Sequence, residues 1–179
     1  MSEMFDILNE NGNYINKKVE RSVAHTKGLW HRAVVVFIVN SQNQVLLQRR
    51  SAFKRKWPNM LDVSAGGHSN AGEFGYETAI RETFEELGVK VEKENLIFIG
   101  CTKNAFTQGD IIDNMFNEYY VVNLDVEPLN LNLQKEEVSE AKFVTLNELK
   151  LMMEEGYKQL TPKIEAYEFL LKYLQKNNI

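Results

Sequence analysis

Three glutamates within five residues form the part of this sequence whose spacing points most directly to chemistry. Glu82, Glu85 and Glu86 occupy positions i, i+3 and i+4, which are neighbours on one face of an α-helix. Like charges at this spacing repel by roughly 0.2–0.5 kcal/mol per pair, and Arg81 is the one cation beside them. A solvated helix face is the ordinary explanation. A divalent metal ion between the carboxylates is the alternative, because Mg²⁺ prefers oxygen ligands.

The glutamates need a helix to bring them together, and the surrounding residues predict one from about Glu73 to Leu87, with Gly88 as its stop signal. Four glycines between positions 66 and 75 precede this helix and predict a loop. At about 100° per residue, six positions share a largely apolar face: Tyr76, Ala79, Ile80, Thr83, Phe84 and Leu87. We therefore expect this face to pack on the core and the acids to lie on the other side.

The loop and helix together resemble the Nudix box, over residues 67–89. Its fixed positions are Gly67, Glu73, Arg81, Glu82, Glu85, Glu86 and Gly88, with apolar Val89 following. At background frequencies near 7% per residue type, seven such matches coincide by chance with a probability on the order of 10⁻⁸ per register. Thr83 departs from the pattern, since an aliphatic residue is usual there. It lies on the predicted core face, so the departure concerns packing more than chemistry.

This resemblance implies a Mg²⁺-dependent hydrolase, with Mn²⁺ as the alternative ion, in which water attacks a phosphorus atom of a diphosphate linkage. It gives Glu82, Glu85 and Glu86 the roles of metal ligands and catalytic residues. The backbone carbonyl of Gly67 would be a further ligand. The general base stays open between Glu82 and four acids outside the box: Glu118, Glu136, Glu137 and Glu140.

The remaining box residues receive structural roles from the same resemblance. Glu73 would form a salt bridge with Arg81 and hold the loop against the helix. Gly88 would end the helix. The loop glycines would let the backbone pass close to a metal ion and a phosphate, where a Cβ would intrude.

A second resemblance, to isopentenyl-diphosphate isomerase, covers segments before and within the box. It rests on Leu29–Ala33, Leu46–Ser51, Lys54, Trp57-Pro58 and Gly67-His68. That enzyme is a Nudix-fold relative that binds a divalent metal through histidines and acidic residues. It grips its substrate's diphosphate with an arginine and a lysine, which fall here at Arg50 and Lys54. These two are the candidate substrate-binding residues, with solvated charge as the ordinary alternative. The histidines at positions 25, 31 and 68 are either metal ligands or structural residues.

The choice between hydrolase and isomerase depends on one position. Isomerisation needs a cysteine directly before the Gly-His pair, and this chain has Gly66 there. The full set of acids favours hydrolysis of a nucleoside diphosphate derivative or another organic diphosphate. The alternatives are an isopentenyl-diphosphate-type isomerase and a non-catalytic nucleotide-binding module.

The elements around the box predict an α/β (α+β) fold: a Nudix-type α/β/α sandwich with a mixed β-sheet between helices, as a single domain over residues 1–179. An N-terminal hairpin is expected at about 4–20, around Asn11-Gly12. The expected strands are Val34–Val39, Val45–Gln48, Leu96–Gly100, Glu118–Leu124 and Lys142–Val144. The late helices are expected at Leu146–Glu155 and about 162–175.

Composition limits the partners of this chain. The 179 residues are 44% apolar and 26% charged, with a net charge of −4, which argues against nucleic acid held by bulk electrostatics. The longest apolar run, Ala33–Val39, is too short to cross a bilayer. Cys101 is the only cysteine and is expected to be a small core residue. We expect a cytoplasmic protein with a small-molecule diphosphate substrate and no nucleic acid or membrane partner. A homodimer is left open.

Overall fold

The structure, a computed structural model, describes residues 2–177, with the exception of the Gln108 side chain. The strands in this range are β1 (Met4–Leu8), β2 (Tyr14–Glu20), β3 (His31–Val39), β4 (Val45–Arg50), β5 (Leu61–Asp62), β6 (Ala65–His68), β7 (Ile97–Gln108), β8 (Ile111–Asn123) and β9 (Val138–Val144). The helices are α1 (Arg21–Lys27), α2 (Gly75–Leu87), α3 (Leu146–Glu154) and α4 (Ile164–Lys176). Two short 3₁₀ turns lie at Lys93–Asn95 and Pro128–Asn130.

The main sheet is mixed, as the sequence predicts. Its strand order is β5-β4-β3-β8-β7, while β6 pairs with β3 and β9 pairs with β4. Only β3 and β8 among the described pairs run parallel; the rest are antiparallel. The expected N-terminal hairpin is present as β1 and β2. The last pair of the hairpin is Leu8 with Tyr14, so its connection is longer than a two-residue turn. Within this connection the Asn9 side chain accepts hydrogen bonds from the backbone N–H groups of Asn11 and Asn13.

Strand β3 explains why the sheet needs helices on both faces. Val35, Phe37 and Val39 point to a core shared with α3 and α4, through residues such as Leu149, Tyr167 and Leu170. The alternate residues Val34, Val36 and Ile38 point to a core shared with α2, through Ala79 and Leu87. A strand buried on both faces reads as a continuous apolar run. The sandwich expected from the sequence is therefore confirmed.

Helix α2 begins at Gly75, two residues later than expected, and Gly88 ends it in the left-handed conformation (φ 72°). Two side chains differ from the predicted faces. Phe84 is 50% exposed, whereas Glu86 is only 6% exposed. The periodicity of about 100° per residue gave the angles between side chains around the helix axis. It did not show which side of the helix faces the sheet. The buried face is centred on Ala79, Thr83 and Glu86, so Phe84 lies outside it.

The expectation for Cys101 is wrong, because its side chain is exposed. Cys101 lies on β7, the edge strand of the sheet, and successive residues of a strand point to opposite faces. A Cβ on Gly100 would meet the ring of Phe169 in α4, so Gly100 faces that helix and the next residue, Cys101, points to the opposite side of β7, which is uncovered there. Strands β7 and β8 are also much longer than the strands predicted there. Their polar halves show little alternation of apolar and polar residues, so the sequence did not predict those halves as strand.

Helix α1 and strands β5 and β6 were not predicted. Strand β6 contains Gly66 and Gly67, and glycine is depleted in strands. Pairing with β3 stabilises this strand although its local sequence does not favour one. In the described part of the chain, each helix is too short or too polar to span a bilayer.

Candidate active site and metal centre

A cavity of about 980 Å³ opens beside β3 and β6. Its walls come from α1, the loop after β4, β6, α2, the β7–β8 hairpin and the start of α4. Most residues predicted to be functional line it: Arg50, Lys54, Gly67, Arg81, Glu82, Glu85 and Glu86. The fold thus brings the acids of α2 and the cations of the β4 loop to one space.

Gly66 is required by its close approach to the backbone of β3, and Gly67 leaves room for the side chain of Glu82. A Cβ on Gly67 would collide with the carboxylate of Glu82. A Cβ on Gly66 would lie 2.6 Å from the backbone carbonyl oxygen of Val34, a contact that backbone atoms cannot relieve easily. Because neither residue carries a side chain, the strand lies against both α2 and β3.

Arg81 holds the loop between β6 and α2, which we call the glycine loop (residues 69–74), to α2. Its Nε and Nη2 atoms each lie 2.9 Å from an oxygen of Glu73, in the paired geometry typical of arginine and carboxylate. The expected Glu73–Arg81 ion pair is therefore present. Burial alone would raise the pKa of Glu73, but the hydrogen bonds from Arg81 and Asn70 lower it to about 2. Arg81 also donates to the carbonyl of His68, which fixes the end of β6.

The same guanidinium contacts two of the three clustered glutamates. Its Nη1 lies 2.7 Å from Glu82 and 3.1 Å from Glu85. The third glutamate, Glu86, accepts hydrogen bonds from Gln48 and from the backbone N–H of Gly66. Burial, together with the charge of Glu82, raises the pKa of Glu86 to about 8. Without a metal ion, the repulsion among these three glutamates is thus relieved by the charge of Arg81 and by a proton on Glu86.

The three histidines converge with an acid that was not predicted. The Nε2 atoms of His25, His31 and His68 each lie 3.4 Å from Oδ1 of Asp113. All four ligand atoms fall within 4.8 Å of one another. We call these four residues the histidine cluster. Within residues 2–177 it is the one group of three or more such side chains that meets this distance.

The charge state of the histidine cluster suits a metal ion. Burial lowers the pKa of His25 to about 4 and also lowers that of His68, so these rings are neutral and can offer a lone pair. Burial would raise the pKa of Asp113, but contacts with His31 and His68 hold it far below its ordinary value. His31 is fully buried, and its Nε2 has no well-formed hydrogen bond among the described groups. Such an orphaned atom is costly unless it binds something.

The N-terminal hairpin covers the histidine cluster. Phe5, fully buried in β1, stacks on His31 and His68 with ring centroids 4.7 and 5.2 Å apart. It also meets His25 edge-on at 5.8 Å. The hairpin is tied to the glycine loop by the backbone of Ala71, which donates to Met4. The hairpin therefore excludes water from one side of the cluster.

The predicted substrate-binding residues are in ion pairs. Arg50 pairs with Asp62 at 2.9 Å, and Lys54 pairs with Glu137. A third cation of this loop, Lys56, lies 3.0 Å from Asp113 and 4.6 Å from the ring centre of Phe106. The cationic loop is thus connected to the histidine cluster.

The acids considered for the general base separate into two groups. Glu82, Glu136 and Glu137 line the cavity. Glu118 pairs with Arg32 and accepts from Tyr120, and Glu140 pairs with Arg49; both lie away from the cavity.

Asp113 was missed because no local spacing marks it. It lies on β8, 45 residues after His68, in a polar stretch that also contains Asp110 and Asn114. Only the parallel pairing of β8 with β3 brings this stretch beside His31. Lys163, which lines the cavity, and Asp62, which pairs with it, were also missed because no local spacing marks them.

Comparison with known proteins places the chain in a family. A family model described as the NUDIX domain matches residues 29–164. An uncharacterized Nudix hydrolase of Listeria monocytogenes is 35% identical over 154 residues, covering 86% of each protein. Nudix hydrolase 3 of Arabidopsis thaliana is 40% identical over 152 residues, covering 82% of this chain but only 20% of that much longer protein.

Isomerases and a solved structure are also similar. An isopentenyl-diphosphate Delta-isomerase of Serratia proteamaculans is 33% identical, covering 72% of this chain and 70% of its own. The crystal structure of DR0079 from Deinococcus radiodurans has a TM-score of 0.65 and 28% identity, covering 86% of this chain and 90% of that one. The fold and the family are therefore supported by independent comparisons.

The raised pKa of Glu86 predicts a pH-dependent stability. As pH rises from 4.5, the ordinary value, to about 8, the unfolded state loses a proton that the folded state keeps, so the wild type loses stability across this window. Glu86→Gln removes this loss. In EDTA we expect similar melting temperatures at pH 5 and a gain for Glu86→Gln at pH 8. A gain on the order of 2 kcal/mol would raise Tm by roughly 4–8 °C.

The exposed residue Glu94 supplies the control for this experiment, because Glu94→Gln should leave Tm unchanged at both pH values. Equal melting temperatures for Glu86→Gln and wild type at pH 8 would contradict the assignment of a protonated, buried Glu86.

Proposed function

This chain belongs to the Nudix hydrolase family, and from that premise we propose that it is a Mg²⁺-dependent hydrolase of an organic diphosphate, such as a nucleoside diphosphate derivative. Water adds to one phosphorus atom and the P–O–P bridge breaks, so that each product keeps one phosphate. Mn²⁺ is the alternative ion. One observation carries this proposal: the acidic face of α2 and the cationic loop after β4 line the same cavity.

In this proposal Glu82, Glu85, Glu86 and the carbonyl of Gly67 hold the ion. Their donors are all oxygens, which is the ligand set that Mg²⁺ prefers. When bound, the metal lowers the pKa of the attacking water and neutralises charge on the phosphoryl oxygens. Glu73 keeps Arg81 in place, so the carboxylates of Glu82 and Glu85 stay beside the loop. The protein contributes position and charge, and Glu82, Glu136 or Glu137 accepts the proton of the water.

Arg50 and Lys54 are the proposed contacts to the phosphates. Both line the same cavity as the acids of α2. Arginine offers a planar fork of donors and lysine a compact charge. Their present partners, Asp62 and Glu137, keep them from collapsing onto the glutamates of α2.

We also propose that the histidine cluster binds a second divalent metal. The neutral rings of His25 and His68, the ionised Asp113 and the unpartnered Nε2 of His31 support this assignment. Nitrogen ligands favour transition metals such as Zn²⁺ or Mn²⁺ over Mg²⁺. The two proposed sites therefore differ in ligand chemistry, with oxygen donors on α2 and mainly imidazole nitrogens in the histidine cluster.

The substrate class and location fit the composition. A net charge of −4 disfavours nucleic acid, and a cavity of about 980 Å³ accommodates a small molecule. We propose a cytoplasmic enzyme, since a chain with a single cysteine makes no internal disulfide.

The isomerase alternative is disfavoured by the backbone as well as by the residue type. Gly66 has no thiol, and a side chain there would meet the carbonyl oxygen of Val34. The alternative of a non-catalytic binding module is disfavoured by the full set of acids, which binding alone does not need.

Neutralising the glutamates should abolish most turnover. Glu85→Gln and Glu86→Gln keep the side-chain shape but remove charge that holds Mg²⁺. Loss of a metal that activates water should lower kcat by about 10²–10⁴. Release of phosphate or nucleotide from a panel of diphosphates, with Mg²⁺, Mn²⁺ and no metal, measures this loss. Glu94→Gln is the exposed control. Near-wild-type turnover in both variants would show that α2 is not catalytic.

Metal analysis should separate the two proposed sites. Protein desalted without added metal should retain close to one equivalent of a transition metal, measured by mass spectrometry. His68→Gln or Asp113→Asn should lose it, whereas Glu85→Gln should retain it. Equal metal content in all three variants would remove the histidine cluster from the proposal.

Isomerase activity should be absent. Incubation with isopentenyl or dimethylallyl diphosphate should leave the proton spectrum of either compound unchanged, because Gly66 offers no proton-transfer group. Interconversion of the two alkenes at a rate above the buffer control would overturn the hydrolase assignment.

A further inference from the structure

Asp62 is a buried carboxylate that holds two cations at the edge of the cavity. It lies on β5 and is 1% exposed. One of its oxygens lies 2.9 Å from Nη1 of Arg50 and the other 2.8 Å from Nζ of Lys163. The hydroxyl of Thr161 donates to it at 2.7 Å, and the backbone N–H of Val63 donates at 2.9 Å. Oδ1 therefore has three partners, Lys163, Thr161 and Val63, and Oδ2 binds Arg50.

The group carries a net positive charge. Burial alone would raise the pKa of Asp62, but Lys163 and Arg50 hold it below the ordinary value. Asp62 is thus ionised at neutral pH, and one carboxylate faces two permanent cations. The side chains of Arg50 and Lys163 are 15% and 29% exposed, so both can reach a ligand. Asp62 itself cannot.

Both cations face the cavity from different parts of the chain. Arg50 ends β4, whereas Lys163 directly precedes α4, and both residues line the cavity with Glu86. The ammonium of Lys163 has three N–H donors, of which the oxygen of Asp62 takes one.

Asp62 also keeps these cations away from the acids of α2. Arg81 shows what a cation near the acids does: it binds Glu82 and Glu85 directly. Arg50 and Lys163 would be drawn to the same acids if nothing held them. Because Asp62 binds both, the two cations stay in the same cavity as the acids of α2 while they pair with Asp62.

We propose that Arg50 and Lys163 form an anion subsite for the substrate phosphate that lies farther from the glutamates of α2, and that Asp62 is its positioning residue. This inference rests on the proposed function, since it assigns one phosphate of the diphosphate substrate to these side chains. Lys163 then becomes a substrate-binding residue in addition to Arg50. A substrate with an uncharged group in that place binds poorly.

Calorimetric titration with imidodiphosphate, a non-hydrolysable diphosphate, in the presence of Mg²⁺ tests the subsite directly. Lys163→Gln should weaken binding by about ten- to a hundredfold, the range for a lost charge-assisted hydrogen bond. Lys163→Arg should restore most of it. Lys176 is an exposed lysine at the other end of α4. Lys176→Gln is therefore the matched control and should bind like wild type. Affinity for Mg²⁺ alone should be unchanged in all three.

Asp62→Asn separates positioning from binding. It should weaken imidodiphosphate binding although Asp62 has no access to the ligand, and it should raise KM more than it lowers kcat. If this variant does not fold, the Lys163 series still decides, because Lys163→Gln leaves Asp62 bound to Arg50 and Thr161.

The outcomes distinguish this inference from the proposed function. Imidodiphosphate binding within twofold of wild type in Lys163→Gln, or no binding by wild type, overturns the subsite even if turnover is robust. Lys163-dependent binding in a protein that hydrolyses no diphosphate supports the subsite and overturns the proposed function.

Discussion

Arg81 connects the glycine loop to α2 and at the same time offsets the repulsion among the glutamates beside it. Two of its nitrogens bind Glu73, and a third contacts Glu82 and Glu85. Without this guanidinium the loop would keep the hydrogen bonds from Thr78 of α2 to Ser69 and Glu73, but the carboxylates of Glu82 and Glu85 would lose the cation between them. Glu86 does not contact Arg81. Burial raises the pKa of Glu86 to about 8, so a proton removes its charge at neutral pH. The acidic face of α2 is thus stable before any metal binds.

Two buried aspartates bind the cations that line the same cavity. Asp62 binds Arg50 and Lys163, and Asp113 binds Lys56 while contacting the three histidines. Each aspartate keeps its charge because its neighbours are cations or polar rings. Positive groups free to move would neutralise the glutamates, as Arg81 partly does. Fixed charges of opposite sign across one cavity suit a substrate whose phosphates need both a metal ion and basic side chains.

The sequence predicted the local part of the site better than the assembled part. The spacing from Gly67 to Gly88 indicated the loop and the helix, and the resemblance to the Nudix box implied the Glu73–Arg81 pair; all three depend on residues that are near one another in the chain. The rotation of α2 was not predicted, so the burial of Glu86 and the exposure of Phe84 came from packing against the sheet.

The long-range part of the site depends on tertiary contacts. Asp113 and Lys163 carry no spacing relation to the box, and only strand pairing and the placement of α4 bring them near it. Cys101 was misplaced because an apolar strand at a sheet edge can leave one side uncovered. A mixed sheet between helices was predictable, because β3 is apolar on both faces.

Anomalous diffraction from crystals soaked in Mn²⁺ tests the proposal that the acids of α2 hold the catalytic ion. We expect an anomalous peak bounded by Glu82, Glu85, Glu86 and the carbonyl of Gly67, separate from any peak at the histidine cluster. The peak on α2 should disappear in Glu86→Gln crystals while the other remains. Occupancy of the histidine cluster alone, at a Mn²⁺ concentration that supports turnover, would contradict it.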